Sequence, residues 1–170
     1  MIYKKSLLAG FSLLLIVGII SVWFSPLGLQ RAPEITLKIL DGREIDLQQL
    51  RGKPVLVTFW ATTCTVCMKE LPHLMALYKT LAPAGLEIIG VAMAYDPPNR
   101  VLELSKQRQI PYPIALDIDG KVALAFGDVA QTPTSFLIGP DGAILQHRIG
   151  KMDFEALRQR ITHLLMMQHS

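Results

Sequence analysis

The stretch VLVTFWA, from Val55 to Ala61, is a nearly continuous apolar run, and a cysteine pair follows it at once. Such a run indicates a strand that is buried on both faces, as in a parallel sheet covered by helices. Cys64 and Cys67 are the only cysteines of the 170-residue chain. After them, apolar residues recur at helical spacing. The cysteines therefore lie where a buried strand gives way to a helix.

Strand and helix patterns alternate along the rest of the chain. Asp41-Gly42 and Pro140-Asp141-Gly142 each separate two short apolar runs, which predicts an N-terminal and a C-terminal β-hairpin. The segment from Leu86 to Met93 predicts a second buried strand, and Asp96-Pro97-Pro98 predicts the start of the next helix. The last predicted helix has an apolar stripe made of Phe154, Leu157, Ile161, Leu164 and Leu165. These patterns predict an α/β fold with a central mixed β-sheet flanked by helices.

The N-terminal segment is apolar and free of charge from residue 6 to residue 24, and Lys4 and Lys5 precede it. As a helix it would span roughly 28 Å, close to the hydrocarbon thickness of a bilayer. We therefore predict a cytoplasmic N-terminus (1–5), a transmembrane anchor (6–24), a tether (25–33) and a folded domain (34–170) across the membrane. A cleaved signal peptide is the alternative, but the bulky Trp23 and Phe24 stand where a peptidase requires small residues.

The charge balance of the predicted domain gives no support for nucleic-acid binding. Without Lys4 and Lys5, the chain has 15 basic residues against 14 acidic ones. A nucleic-acid-binding domain usually has a strong excess of basic residues on one face. We therefore expect protein partners and no nucleic acid.

The position of the cysteine pair predicts redox chemistry. Unpaired amides and the macrodipole at a helix N-terminus stabilise a thiolate, and the pKa of such cysteines falls to about 3.5–7.5. Cys64, nearer the exposed end, is the predicted nucleophile. Cys67 lies one turn deeper, where it can resolve a mixed disulfide.

Two other uses of the pair are less favoured. A structural disulfide between Cys64 and Cys67 would close almost no loop and would gain little entropy. A zinc site needs four ligands, of which one C-x-x-C motif supplies two. The chain has no second tight pair of ligands among its histidines, His73, His147, His163 and His169. We predict neither a metal nor a cofactor.

The stretches VLVTFWATTCTVCMKELP and TPTSFLIG resemble the thioredoxin superfamily. More narrowly, they are similar to the membrane-anchored, extracytoplasmic thiol:disulfide reductases of the TlpA, ResA and CcmG type. The resemblance implies a thioredoxin-like fold and a single-pass protein of the bacterial inner membrane, with its catalytic domain in the periplasm or on the outer face. It implies disulfide substrates among exported or membrane-bound proteins, an upstream membrane thiol donor, and a setting such as cytochrome c biogenesis.

The resemblance also implies roles for particular residues. Cys64 matches the nucleophile and Cys67 the resolving cysteine. Thr132-Pro133 matches a cis-proline loop that binds the substrate strand, and Trp60 is a further expected substrate contact. Glu70 matches an acidic residue beside the cysteines. It would act as a base that accepts the proton of the Cys67 thiol, or it would only favour the helix dipole. We expect it on an exposed face of the helix.

Two positions depart from the family pattern and one further position matches it. Thr63 stands where the family often has Trp before the nucleophile, and Thr58 stands where thioredoxin has a buried Asp. Thr58 therefore argues against a general cytosolic thioredoxin. Pro72 matches a proline that kinks the active-site helix.

Other functions stay open on the same fold. A disulfide oxidase or isomerase would use the same cysteines. A copper carrier is a third possibility because thiolates suit Cu(I), although such relatives usually have C-x-x-x-C. A peroxidase is disfavoured, since Ala61 stands where those relatives have Thr three residues before the reactive cysteine.

Overall fold

Seven strands and four α-helices follow one another along residues 31–167, the part of the chain that this computed structural model describes. In chain order they are β1 (Thr36–Lys38), β2 (Glu44–Asp46), β3 (Val55–Trp60), α1 (Thr65–Leu81), β4 (Glu87–Ala92), α2 (Pro98–Arg108), β5 (Ile114–Leu116), α3 (Lys121–Ala125), β6 (Thr134–Ile138), β7 (Ile144–Ile149) and α4 (Phe154–Met167). Short 3₁₀ turns follow β2 and α1, over Leu47–Leu50 and Ala82–Ala84.

The main sheet has β3 at its centre, in the order β5-β4-β3-β6-β7. β4 pairs in parallel with β3 and with β5, whereas β6 is antiparallel to β3 and to β7. All six residues of β3 are buried. The predicted mixed sheet and its doubly buried strand are therefore confirmed, and the fold is thioredoxin-like.

The two predicted hairpins are also confirmed. β1 and β2 pair antiparallel in a separate two-stranded sheet. Ile39, just after β1, forms a bridge with Ala115 of β5, and the N–H of Leu40 donates to the carbonyl of Ile114 over 2.8 Å. These contacts join the N-terminal hairpin to the edge of the main sheet.

Side chains of β3 alternate between two apolar clusters because successive residues of a strand point to opposite faces. Leu56 and Trp60 pack with α1 and α4 on one face. Val57 and Phe59 pack on the other face, where Phe59 makes edge contacts with Phe126 and Phe136. The end of β3, where the cysteines follow, is thus fixed by packing from both sides.

The folded domain begins earlier than the predicted boundary at residue 34. Arg31 bridges Ala143, and the N–H of Ala32 donates to the carbonyl of Gly142 over 2.9 Å. The last residues assigned to the tether therefore pair with the turn between β6 and β7. The predicted anchor, residues 6–24, lies outside the described residues. None of the helices within residues 31–167 combines the length and apolar character that crossing a bilayer requires.

Candidate active site

The cysteine pair lies at the junction of β3 and α1, as the sequence predicts. Cys64 is the N-cap of α1 and has an extended backbone, with φ −81° and ψ 106°. Its Sγ accepts a hydrogen bond of 3.1 Å from the N–H of Cys67. A sulfur at this position receives one of the amides that a helix start leaves without a partner.

The two cysteines form a disulfide, with Sγ atoms 2.12 Å apart and Cα atoms 5.2 Å apart. Cys67 is buried, with 5% of its surface exposed, whereas Cys64 is partly exposed. A substrate thiol or disulfide therefore reaches the sulfur of Cys64 before that of Cys67. This difference in access agrees with the predicted roles of nucleophile and resolving cysteine.

Glu70 lies one helical turn after Cys67, and the prediction that it occupies an exposed face is wrong. The side chain is 5% exposed, and its Oε1 accepts a hydrogen bond of 2.6 Å from the N–H of Met152. Burial raises the pKa of this carboxyl, although the Met152 hydrogen bond and the charges of His73 and Lys151 act in the opposite direction. The residue is therefore a buried acid whose proton is held more tightly than in water.

The Thr132–Pro133 peptide bond is cis, as the resemblance implies. Thr132 is partly exposed and Pro133 is buried. The carbonyl of Pro133 accepts a hydrogen bond of 2.8 Å from the N–H of Gly150. Because Phe59 of β3 pairs with Thr134 of β6, this loop lies at the same edge of the sheet as the cysteines.

A small cavity brings several of the predicted site residues together. The cavity has a volume of about 10 Å³, which is close to the minimum that can hold one water molecule. It is lined by Thr58, Trp60, Cys67, Glu70, Leu71, Leu74, Tyr112 and Pro133. Cys67, the buried acid and the cis-proline thus line one cavity.

Trp60 lines this cavity from within the core and is 5% exposed. The indole therefore does not lie on the surface with Thr132. The predicted contact between Trp60 and the substrate would need an exposed ring, which the structure does not show. Thr58, which stands where thioredoxin has an Asp, accepts a 2.9 Å hydrogen bond from the hydroxyl of Ser135. β3 has no carboxylate in its place, and Glu70 is the acid nearest in sequence to Cys67.

Sequence reasoning missed a contact next to the cysteines. Asp96, read from the sequence only as part of a helix start, does not cap α2. Its carboxylate instead accepts two hydrogen bonds from Thr62, over 2.6 Å from the N–H and 2.7 Å from the hydroxyl. The usable signal in the sequence was the pair of buried apolar runs that form β3 and β4. Because these strands are parallel, the loops that follow them lie at the same edge of the sheet.

The sequence profile of the AhpC/TSA family matches residues 29–147. The chain belongs to this family. It is 35% identical over 130 residues to the thiol-disulfide oxidoreductase ResA of Bacillus thuringiensis subsp. konkukian, a match that covers 76% of this chain and 74% of that protein. It is 34% identical over 153 residues to the ResA protein of Halalkalibacterium halodurans, covering 88% of this chain and 86% of the relative.

A solved structure agrees with these relatives. The thiol:disulfide interchange protein of the thioredoxin family from Chlorobium tepidum superposes with a TM-score of 0.73 at 26% identity, covering 80% of this chain and 96% of that one. The predicted resemblance to the TlpA, ResA and CcmG type is confirmed. Together with the Cys64–Cys67 disulfide, these matches identify a thiol:disulfide oxidoreductase.

Proposed function

We propose that this enzyme reduces disulfides in exported or membrane-bound proteins, working on the outer face of the bacterial inner membrane. The observation that carries the proposal is the cavity shared by Cys67, Glu70 and Pro133. Glu70, a buried acid, lines the same cavity as Cys67. Reduction of a substrate disulfide needs an acceptor for the proton of the Cys67 thiol, and Glu70 is suited to that role. Cytochrome c biogenesis is the setting that the family resemblance suggests.

The reaction starts from the reduced form, with Cys64 as a thiolate and Cys67 as a thiol. The Sγ of Cys64 attacks one sulfur of the substrate disulfide, the S–S bond breaks, and the other substrate sulfur leaves as a thiolate that takes a proton from solvent. Cys67 then attacks the Sγ of Cys64, which releases the second substrate thiol and forms the Cys64–Cys67 disulfide. Two electrons pass to the substrate.

Glu70 serves the second step. Cys67 has to lose its proton before it attacks, and its sulfur is buried away from bulk water. Glu70 lines the same water-sized cavity, so its carboxylate can take that proton. Burial raises the pKa of Glu70, which brings it closer to the pKa of a thiol and eases the transfer.

The enzyme then needs a reductant for its disulfide. We propose a dithiol protein of the membrane, which passes two electrons across the bilayer to Cys64–Cys67.

The support for an anchored arrangement is the charge-free segment 6–24 behind Lys4 and Lys5. Mass spectrometry of protein extracted from membranes tests it: an N-terminus that includes residues 1–24 is expected, and one starting near residue 25 would contradict an uncleaved anchor.

The direction of electron flow is tested by equilibrating the full-length protein in detergent with glutathione buffers of defined poise. A reductase should have a potential near or below that of thioredoxin, about −270 mV, so that its disulfide persists until the buffer is strongly reducing. A potential above about −180 mV, the range of isomerases and oxidases, would overturn the reductase and favour the oxidase.

A further inference from the structure

The loop after β4 is held against the loop that carries the cysteines. Asp96 is buried, with 4% of its surface exposed, and both of its carboxylate oxygens accept hydrogen bonds from Thr62, two residues before Cys64. The N–H of Met93 also donates to the carbonyl of Trp60 over 3.1 Å. Residues 93–96 therefore have a fixed position relative to Cys64.

Tyr95 is the residue that this arrangement leaves on the surface. Its side chain is 59% exposed, next to the buried Asp96. Its hydroxyl lies 3.4 Å from the hydroxyl of Thr132, which precedes the cis-proline. Tyr95 follows β4 and Thr132 precedes β6, and these two strands flank β3 on either side. The tyrosine therefore reaches across the end of β3, the strand that leads to Cys64.

A second apolar side chain is exposed close to Cys64 in the sequence. Val66, in the first turn of α1, is 40% exposed and follows Cys64 by two residues. The partly exposed Cys64 thus has an exposed aliphatic side chain two residues on, and the loop that carries the Tyr95 ring is bonded through Asp96 to Thr62, two residues before Cys64. When a partner covers apolar surface beside a reactive group, the free energy of the complex is lowered.

We propose that Tyr95 is a specificity-determining residue, which packs against an aliphatic or aromatic side chain next to the reacting cysteine of the substrate. Asp96 is a positioning residue, because its bonds to Thr62 hold the Tyr95 ring beside Thr132. The proposal rests on the function proposed above and adds the class of substrate: an extended segment with a large apolar residue adjacent to its cysteine. The ring supplies contact area with little conformational freedom to lose.

The test compares three disulfides with the reduced full-length protein in detergent. Two are cyclic-disulfide peptides that differ only in the residue before the first cysteine, Leu in one and Ser in the other; the third is bis(2-hydroxyethyl) disulfide. Tyr95→Ala should lower the rate constant about fivefold with the Leu peptide, the loss expected when one apolar contact is removed. It should change the other two rates less than about twofold.

Tyr95→Phe and Leu102→Ala are the matched controls. Tyr95→Phe keeps the ring and should keep the preference for the Leu peptide. Leu102→Ala removes an exposed apolar side chain of α2 that lines the groove beside the N-terminal hairpin, and it should leave all three rates unchanged. An equal loss with all three disulfides, or no loss with the Leu peptide, would overturn the role of Tyr95.

The positioning role of Asp96 has its own readout. Asp96→Asn leaves one oxygen to accept from Thr62 and should lower the preference for the Leu peptide while the rate with the small disulfide is kept. Thr62→Val, which loses the hydroxyl donor, should act likewise, and Thr62→Ser should restore the preference. If Asp96→Asn keeps the full preference, Asp96 does not position Tyr95.

A wild-type protein that reduces none of the three disulfides overturns the proposed function, whereas one that reduces all three without preference overturns only the specificity.

Discussion

The Oε1 of Glu70 accepts a 2.6 Å hydrogen bond from the N–H of Met152, a residue 82 positions further along the chain. This bond joins α1 to the loop between β7 and α4. The N–H of Gly150 in the same loop donates to the carbonyl of Pro133. One short loop therefore contacts both the buried acid and the cis-proline segment, so the acid is fixed in place relative to the cis-proline loop.

The stability of the protein should depend on pH through Glu70. Burial raises the pKa of this carboxyl above its unfolded value, so the native state binds the proton more tightly than the unfolded chain does. The stability that this proton supplies is present below the unfolded pKa of about 4.3 and is lost as pH rises through the folded pKa. The side chain introduced by Glu70→Gln does not titrate. As pH rises from 4 to 7.5, the unfolding free energy of the wild type should therefore fall relative to that of the variant. Urea unfolding at both ends of this range measures it, and a pH-independent difference would contradict it.

Glu70→Gln should also slow the release of substrate. General-base help of this kind is typically worth 10² or more, so the second step should slow by about that factor while the first attack by Cys64 is kept. Stopped-flow measurement separates the two steps by following the mixed disulfide. Glu155→Gln, on the exposed face of α4, is the control for loss of a carboxylate elsewhere. If the release rate is unchanged across pH 6–8, Glu70 has only a structural role.

Cys64→Ser should abolish disulfide reduction, since Cys64 is the partly exposed sulfur at the helix N-terminus. The reduced wild type should react with iodoacetamide at Cys64 first, because the thiolate there is stabilised by the helix amides. Peptide mapping after alkylation at several pH values identifies the modified residue. Faster alkylation of Cys67 below neutral pH would reverse the assignment of the two roles.

Cys67→Ser should trap substrates. The variant keeps the attacking sulfur of Cys64 but lacks the resolving thiol, so the mixed disulfide should persist. We expect a few discrete adducts on a non-reducing gel, each with an exported or membrane-bound protein, and their loss on addition of dithiothreitol. The Cys64→Ser, Cys67→Ser double variant is the control.

The other outcomes of the trapping experiment separate the alternatives. A continuous smear of adducts would indicate a broad oxidase. No adducts, together with tight Cu(I) binding that either single variant loses, would favour the copper carrier over the reductase.

Gly90 has a specific steric reason to lack a side chain. A Cβ at this position of β4 would lie 2.8 Å from Cδ1 of Ile114, 3.1 Å from Nε1 of Trp60 and 3.3 Å from Cε2 of Tyr112. Gly90→Ala should therefore lower the unfolding free energy by about 1–3 kcal/mol, the usual cost of overpacking. Trp60 and Tyr112 line the cavity beside Cys67, so disulfide reduction should slow as well.

The control for Gly90→Ala is Val91→Ala. Val91 belongs to the apolar cluster on the opposite face of the sheet, and its truncation should cost about 2 kcal/mol without changing the cavity. Chemical denaturation and the reduction rate at low temperature, where both variants are folded, distinguish the two effects. Equal rates in the two variants would show that Gly90 matters only for packing.

The elements of the fold could be predicted because their signals are local. The apolar run of β3, the turn residues of the two hairpins and the spacing along α1 each depend on neighbours in sequence. The cysteine pair could be placed for the same reason, since it occupies the junction of β3 and α1.

Contacts between distant segments were not predictable in this way. The burial of Glu70 depends on Met152, and the role of Asp96 depends on Thr62, 34 residues earlier. A charged residue in a helical pattern looks exposed until the loop that covers it is known. Trp60 was expected to contact the substrate, yet it is buried at the end of a strand whose residues are all buried.

The hydrogen bond from the N–H of Cys67 to the Sγ of Cys64 makes the first turn of α1 a built-in reporter of the redox state. Reduction turns the acceptor from a disulfide sulfur into a thiolate, and charged acceptors form the stronger hydrogen bonds. The amide resonance of Cys67 in a ¹⁵N spectrum should therefore move on reduction. Electron transfer through this site can thus be followed at one backbone amide, without a label on either sulfur.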